Sequence, residues 1–94
     1  MGHLSTHVLD TANGCPAAGM KVTLQRVEAA GATTLRSFAL NADGRSDSAL
    51  LDETTMAAGR YRLVFETAAY FRGRGVALPE PPFLDVVQLD FGIA

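Results

Sequence analysis

The sequence predicts an all-β protein, an antiparallel β-sandwich with one short helix. Apolar and polar residues alternate with a period of two in several short runs, which is typical of half-buried strands. Gly, Pro, Asn-Gly and Asp-Gly turn signals separate these runs every few residues. Many short strands between regular turns favour a sandwich, and 94 residues are enough for one domain, residues 1–94.

Residues 4–10 form the first predicted strand. Its apolar face carries Leu4, Thr6 and Val8. The opposite face carries His3, Ser5, His7 and Leu9. Because successive side chains of a strand point to opposite faces, this strand presents a Ser/His face away from the core. Residues 11–16, with Asn-Gly and Pro, are expected to form a turn or loop.

The remaining elements follow from the same signals. Further strands are expected at residues 20–27, 33–40, 46–50, 60–67 and 83–93. Residues 51–58 are interpreted as a loop with one helical turn. Residues 68–73 hold good helix formers before a Gly and predict the short helix. The proline-rich residues 78–82 cannot form a helix interior or a central strand.

The last strand is apolar on both faces, so we expect it to be well covered. The core candidates are Tyr61, Phe65, Phe71, Phe83 and Phe91. The solvated positions are predicted to be Arg36, Arg60 and Arg62 on strands and Arg72 and Arg74 at the helix end.

Composition narrows the classes of function. A chain with 48% hydrophobic and 19% charged residues is an ordinary globular protein, and its net charge of −2 argues against a nucleic-acid partner. The single Cys15 excludes an internal disulfide framework and a cysteine-based zinc site. There is no apolar run long enough for a signal peptide core or a membrane span, so a cytoplasmic domain without a membrane partner is expected.

The Ser/His face raises two possibilities from residue chemistry alone. Ser5 and His7 share the face, but no Gly-x-Ser elbow surrounds Ser5, which disfavours a serine hydrolase. His3 and His7 are about 13 Å apart along a strand at roughly 3.3 Å per residue. This span is too long for one metal ion bound about 2 Å from each nitrogen, so no metal site is predicted.

Three segments together resemble the transthyretin-like 5-hydroxyisourate hydrolases. They are Leu-Ser-Thr-His-Val-Leu-Asp at 4–10 with Gly14 and Pro16-Ala17, Asn-Ala-Asp-Gly-Arg at 41–45, and Tyr70-Phe71 with residues 82–87. They occur in the family's order and span almost the whole chain. The resemblance implies a transthyretin-like (prealbumin-like) sandwich that assembles as a homotetramer, with active sites in the channel between dimers.

The resemblance also implies an activity and its site. The reaction is hydrolysis of 5-hydroxyisourate to 2-oxo-4-hydroxy-4-carboxy-5-ureidoimidazoline in urate breakdown, and it needs no cofactor. The family's active-site His and Arg correspond to His7 and Arg45. An imidazole that titrates near neutral pH suits a base that activates water. The planar fork of Arg45 suits substrate binding, and Ser5 is expected to hydrogen-bond near the pocket.

Family members continue past the position of Ala94 with a His-Tyr-His-Val/Ile-Pro segment and end in Tyr-Arg-Gly-Ser. We therefore expect this chain to be a fragment or a truncated homologue that lacks two final strands, one carrying another active-site His.

Two other functions stay open. One is a binding or carrier module, as in transthyretin, although a polar His/Arg pair suits a polar purine derivative better than a hydrophobic hormone. The other is a non-catalytic scaffold or a rearranged oligomer, since truncation leaves the edge of the strand at 4–10 unpaired and open to another chain.

Overall fold

The computed structural model describes residues 2–94 and contains two antiparallel sheets and one helix. The strands are β1 (Leu9–Asp10), β2 (Cys15–Pro16), β3 (Lys21–Glu28), β4 (Gly31–Ala39), β5 (Gly59–Phe65) and β6 (Val87–Ile93). Helix α1 (Thr67–Gly73) follows β5. The main sheet has the order β4-β3-β5-β6, and β1 pairs with β2 in a separate hairpin. The predicted β-rich fold with one short helix is confirmed.

The core lies on one face of the main sheet, where β3 and β5 pair in the middle. Alternation along both strands places Val22 opposite Phe65 and Leu24 opposite Leu63, and all four side chains are buried. Burial of one such side chain stabilises the fold by roughly 1.5–3 kcal/mol. The other buried members of the core cluster are Ala17, Met20, Leu40, Leu50, Leu51, Tyr61 and Tyr70. The core therefore joins the sheet to the N-terminal segment, the loop at 40–51 and the helix.

The prediction of a regular strand at 4–10 is wrong in part. The segment alternates in exposure as predicted, but it pairs only through isolated bridges at Leu4–Leu51 and His7–Arg45 and through β1. The physical reason is its partner, since residues 46–50 form a loop and not the predicted strand. Arg36, on β4, was expected on a solvated face. Its guanidinium instead donates to two groups of that loop, the carbonyl of Ala49 and Ser48 Oγ.

The turn predicted at 11–16 is shorter than expected, because its end forms strand β2. Cys15 and Pro16 pair with Asp10 and Leu9, and the Ala17 N–H donates to the carbonyl of Val8 at 3.0 Å. A proline is tolerated here because this short strand lies at the edge of its sheet.

The last strand begins at Val87, later than predicted, and it is not well covered. Strand β6 pairs with β5 at the edge of the main sheet, and Leu89 is 53% exposed. Phe83, predicted in the core, is 97% exposed, because it lies in the irregular segment before β6. That segment contacts the helix through a bond from the Ala68 N–H to the Asp85 carbonyl at 2.9 Å.

A buried carboxylate fastens helix α1 to the β1–β2 hairpin. Asp10 is 4% exposed and accepts from the Tyr70 hydroxyl at 2.8 Å. It also accepts from the Asn13 backbone N–H at 3.0 Å and from Asn13 Nδ2 at 2.7 Å. Arg74 Nε lies 3.8 Å from Asp10 Oδ2, so this arginine is not simply a solvated helix end as predicted.

Titration of this network is shifted in the folded state. The hydrogen bond from the Asn13 side chain, followed by the bonds from Tyr70 and the Asn13 backbone, lowers the pKa of Asp10 against the opposing effect of burial. Burial, together with the bond to Asp10, raises the pKa of Tyr70. A depressed carboxyl pKa stabilises the fold above the unfolded value of about 3.9 and loses that contribution as pH falls through the folded value.

Asp10→Asn is expected to lower the thermal midpoint near neutral pH and to flatten its fall at acid pH, because the amide does not titrate. The measurement is Tm by circular dichroism from about pH 7 to about pH 2. The exposed Asp85 provides the matched control Asp85→Asn, which should retain the wild-type acid dependence. An acid profile for Asp10→Asn as steep as that of the wild type would contradict this account.

Candidate active site

The structure brings His7 and Arg45 together as direct partners across an antiparallel bridge. Opposed residues of such a pair place their side chains on the same face, with Cβ atoms roughly 4.5–5.5 Å apart. Both side chains are exposed, so both are accessible to a small molecule. The two residues that the resemblance implied are therefore neighbours in the fold, and the sequence pattern alone could not show this.

A close backbone approach creates this pairing. The Val8 N–H donates to the Gly44 carbonyl at 2.9 Å, and Gly44 is buried with φ at +74°. A Cβ atom at Gly44 would overlap the carbonyl oxygen of Val8. Glycine is required here for two reasons, its positive φ and the lack of space for any side chain. The interpretation of Asp43-Gly44 as a turn is confirmed, since the Gly44 N–H donates to the Asn41 carbonyl at 2.9 Å, and the turn delivers Arg45 to the N-terminal segment.

Two cavities flank the bridge, and they differ in character. The larger encloses about 450 Å³ and includes His7 among its lining residues. Its other walls are mainly apolar or aromatic and include Val8, Met20, Phe65, Tyr70, Val87 and Leu89. The smaller encloses about 270 Å³ and is lined mostly by residues with polar side chains. Its walls include His3, Ser5, Arg45, Ser46, Asp47 and Ser48.

His7 and Arg45 therefore line adjacent cavities and not a single one. Thr6 contributes to both cavities and forms the boundary between them. Ser5 is exposed on the same face as His7 and shares the smaller cavity with Arg45. The three predicted site residues lie on one surface of the domain, with Ser5 closer to the arginine side.

Sequence reasoning missed Asn41, which holds the turn that carries Arg45. Asn41 Oδ1 accepts from the backbone N–H groups of Asp43 at 2.9 Å and Arg45 at 3.1 Å. An Asn at the start of a turn commonly caps its own backbone in this way, so the Asn-x-Asp-Gly pattern contained a signal for this role. The sequence also did not predict the hydrogen bonds from Arg36 to the loop at 48–49, because they join positions distant in sequence.

Neither a metal cluster nor a membrane-spanning helix is found in the part of the chain that the structure describes. Among residues 2–94, no group of three or more His, Cys, Asp or Glu side chains is placed to hold a metal ion. No helix in the same range has the length and apolar character needed to cross a bilayer.

The antiparallel strands and the single short helix of residues 2–94 define a transthyretin-like domain. A family model described as the HIUase/Transthyretin family matches residues 4–94, and the chain belongs to this family. The 5-hydroxyisourate hydrolase of Mesorhizobium japonicum is 53% identical over 93 residues, which cover 99% of this chain and 75% of that protein.

Two solved structures support the same assignment. The 5-hydroxyisourate hydrolase of Klebsiella pneumoniae aligns with a TM-score of 0.79 and 38% identity, over 99% of this chain and 79% of that one. Sea bream transthyretin in complex with thyroxine aligns with a TM-score of 0.85 and 26% identity, over 99% of this chain and 75% of that one. The fold is shared with both proteins, and the sequence is more similar to the hydrolases.

Gly44→Ala is expected to destabilise the domain more than Gly14→Ala. Both glycines have positive φ, +74° and +65°, which costs an alanine about 1–2 kcal/mol. Nothing lies within 4 Å of a Cβ atom at Gly14, whereas one at Gly44 meets Val8. Urea unfolding of both variants measures the difference, which should be on the order of 1–3 kcal/mol. Equal losses would show that the contact with Val8 is unimportant.

Proposed function

We propose that this domain hydrolyses 5-hydroxyisourate to 2-oxo-4-hydroxy-4-carboxy-5-ureidoimidazoline, with His7 as the base and Arg45 as the substrate-binding cation. The observation that carries this proposal is the direct pairing of His7 with Arg45 on an accessible surface. Its main support from relatives is the 53% identity to a 5-hydroxyisourate hydrolase.

His7 would act on water. In the proposed step its neutral imidazole removes a proton as the water oxygen bonds to an acyl carbon of the ring. The ring C–N bond then breaks, and the imidazolium returns the proton to the departing nitrogen. This sequence forms a carboxylic acid and the ureido group of the product. The acid then releases its proton to solvent and becomes the carboxylate, so atoms and charge balance. It requires no covalent enzyme intermediate and no cofactor.

Arg45 would hold the substrate and stabilise negative charge. A guanidinium donates two parallel hydrogen bonds to carbonyl or oxyanion groups, and it makes these bonds to the bound substrate as well as to the transition state. A substrate that contacts both His7 and Arg45 lies over Thr6, where the two cavities meet. Ser5 lines the Arg45 cavity and is positioned to hydrogen-bond the same ligand.

A carrier function is the second candidate, favoured by the larger cavity. Its volume of about 450 Å³ lies within the range of small-molecule sites, and apolar side chains dominate its walls. The likeness to sea bream transthyretin, solved with thyroxine, supports this function. The exposed His–Arg pair has no evident role in an apolar carrier, so we favour the hydrolase.

Assembly and location stay predictions. The family resemblance supports a homotetramer, and the absence of a disulfide at the free Cys15 is compatible with the cytoplasm. The chain spans 75% of the length of its M. japonicum relative. Activity is therefore to be measured on this chain itself and not taken from the longer relative.

His7→Ala is expected to reduce catalysis by about 10²–10⁴-fold, the usual contribution of a positioned base. The measurement is the decay of 5-hydroxyisourate by ultraviolet absorbance against a protein-free blank. Thr33→Ala provides the control, because Thr33 is exposed on β4 and lines neither cavity beside the bridge. Absence of acceleration by the wild type, or equal losses in both variants, would overturn the assignment of His7.

Arg45→Ala is expected to raise KM, and Arg45→Lys to restore binding only in part, because lysine lacks the bidentate fork. Initial rates over a range of substrate concentrations separate KM from kcat. Arg60→Ala, on the exposed part of β5, serves as the control for loss of one positive charge. If Arg60→Ala raises KM as much as Arg45→Ala does, the effect is one of net charge and Arg45 has no specific role.

A further inference from the structure

We propose that Asn41 is a positioning residue that orients Arg45 for substrate through the Arg45 backbone. This inference rests on the proposed function of Arg45. Asn41 is half-buried, lies outside the His7–Arg45 bridge, and does not line either cavity beside it. Its effect on a reaction would therefore be indirect.

Asn41 binds both polar groups of the Arg45 backbone. The Asn41 N–H donates to the Arg45 carbonyl at 2.8 Å, and Asn41 Oδ1 accepts from the Arg45 N–H at 3.1 Å. The Asn41 carbonyl also accepts from the Gly44 N–H at 2.9 Å. The backbone at Arg45 is thus held on both sides by one residue, and the direction of its side chain follows from that backbone.

Asp47 selects the orientation of the Asn41 amide. Asn41 Nδ2 donates to Asp47 Oδ1 at 3.1 Å, and a carboxylate can only accept. If the amide were flipped, its oxygen would face this carboxylate and its NH₂ would face the N–H groups of Asp43 and Arg45. The pair Asn41–Asp47 therefore keeps the acceptor oxygen of the Asn41 amide directed at the Arg45 N–H.

Positioning and simple stabilisation have different kinetic signatures. If Arg45 binds substrate, its displacement weakens binding and raises KM, while His7 is left in place. A variant that only unfolds part of the sample lowers the number of active molecules, which reduces apparent kcat at constant KM. A rise in KM at nearly constant kcat therefore indicates positioning, and a fall in apparent kcat at constant KM indicates loss of stability.

Asn41→Ala is expected to raise KM for 5-hydroxyisourate about tenfold with kcat changed less than about threefold, since the hydrogen bond to the Arg45 N–H is lost. Asn41→Asp should also raise KM, because two carboxylates then face each other. The double variant Asn41→Asp with Asp47→Asn re-forms the bond with donor and acceptor exchanged. Its KM should lie within about threefold of that of Asp47→Asn alone, which carries the same change in the wall of the smaller cavity.

Asp52 offers a matched control for loss of a loop cap. Asp52 Oδ1 accepts from the backbone N–H groups of Thr54 at 2.9 Å and Thr55 at 3.1 Å, as Asn41 Oδ1 does in its own turn. Asp52→Ala should lower Tm without raising KM. A KM increase equal to that of Asn41→Ala would show that any loosened loop has this effect, and would overturn the inference.

A second measurement does not depend on activity. Amide hydrogen exchange by NMR should be about tenfold faster at Arg45 in Asn41→Ala and close to wild type in the exchanged pair. An unchanged Arg45 amide in Asn41→Ala overturns the positioning role whatever the kinetics show. If the wild type does not hydrolyse 5-hydroxyisourate but the Arg45 amide responds as expected, the proposed function fails while the positioning of Arg45 stands.

Asn41→Ala in an Arg45→Ala background completes the test. If Asn41 acts through Arg45, its removal should not raise KM further once the guanidinium is absent. An additional increase of about tenfold would mean that Asn41 acts independently of Arg45, and would contradict the proposal.

Discussion

The close approach of Gly44 to Val8 is the constraint on which the site depends. The N-terminal segment and the loop at 41–51 do not form a continuous ladder, so a few backbone bonds must hold them in register. The bond from Val8 to Gly44 lies directly beside the His7–Arg45 bridge. Because no side chain fits between the two backbones, the separation of the bridge partners is set by backbone geometry and not by adjustable contacts.

The second constraint is the buried Asp10 carboxylate, which links the same segment to helix α1. Its hydrogen bonds to Asn13 and Tyr70 satisfy a charge that would otherwise be costly to bury. Asp10 is three residues from His7 and, like Tyr70, lines the larger cavity. The network thus stabilises the wall of the cavity next to His7, and the same buried carboxylate stabilises both the fold and this wall.

The two cavities differ in the kind of ligand that their walls suit. The apolar cavity is bounded by the core face of the main sheet and by helix α1. The polar cavity depends on the loop at 45–49, whose side chains can vary without disturbing the sheet. Over the whole chain, the sequence is more similar to the hydrolases than to sea bream transthyretin.

The sequence by itself determined the strands β3, β4 and β5 and the helix, because alternation and turn residues are local signals. It also predicted His7 and Arg45 as site residues, through motifs that resemble a family, and Ser5 as a neighbour of the pocket. Only the tertiary structure decided that the segment at 46–50 is a loop, that Phe83 is exposed, and that His7 faces Arg45. These features depend on which segments of the chain lie next to each other in the fold. Period-two patterning predicts a strand but does not encode the partner of that strand. The tertiary structure also decided the importance of the hydrogen bonds between Asn41 and Arg45. A turn residue can influence a site only when the fold places that turn beside the site.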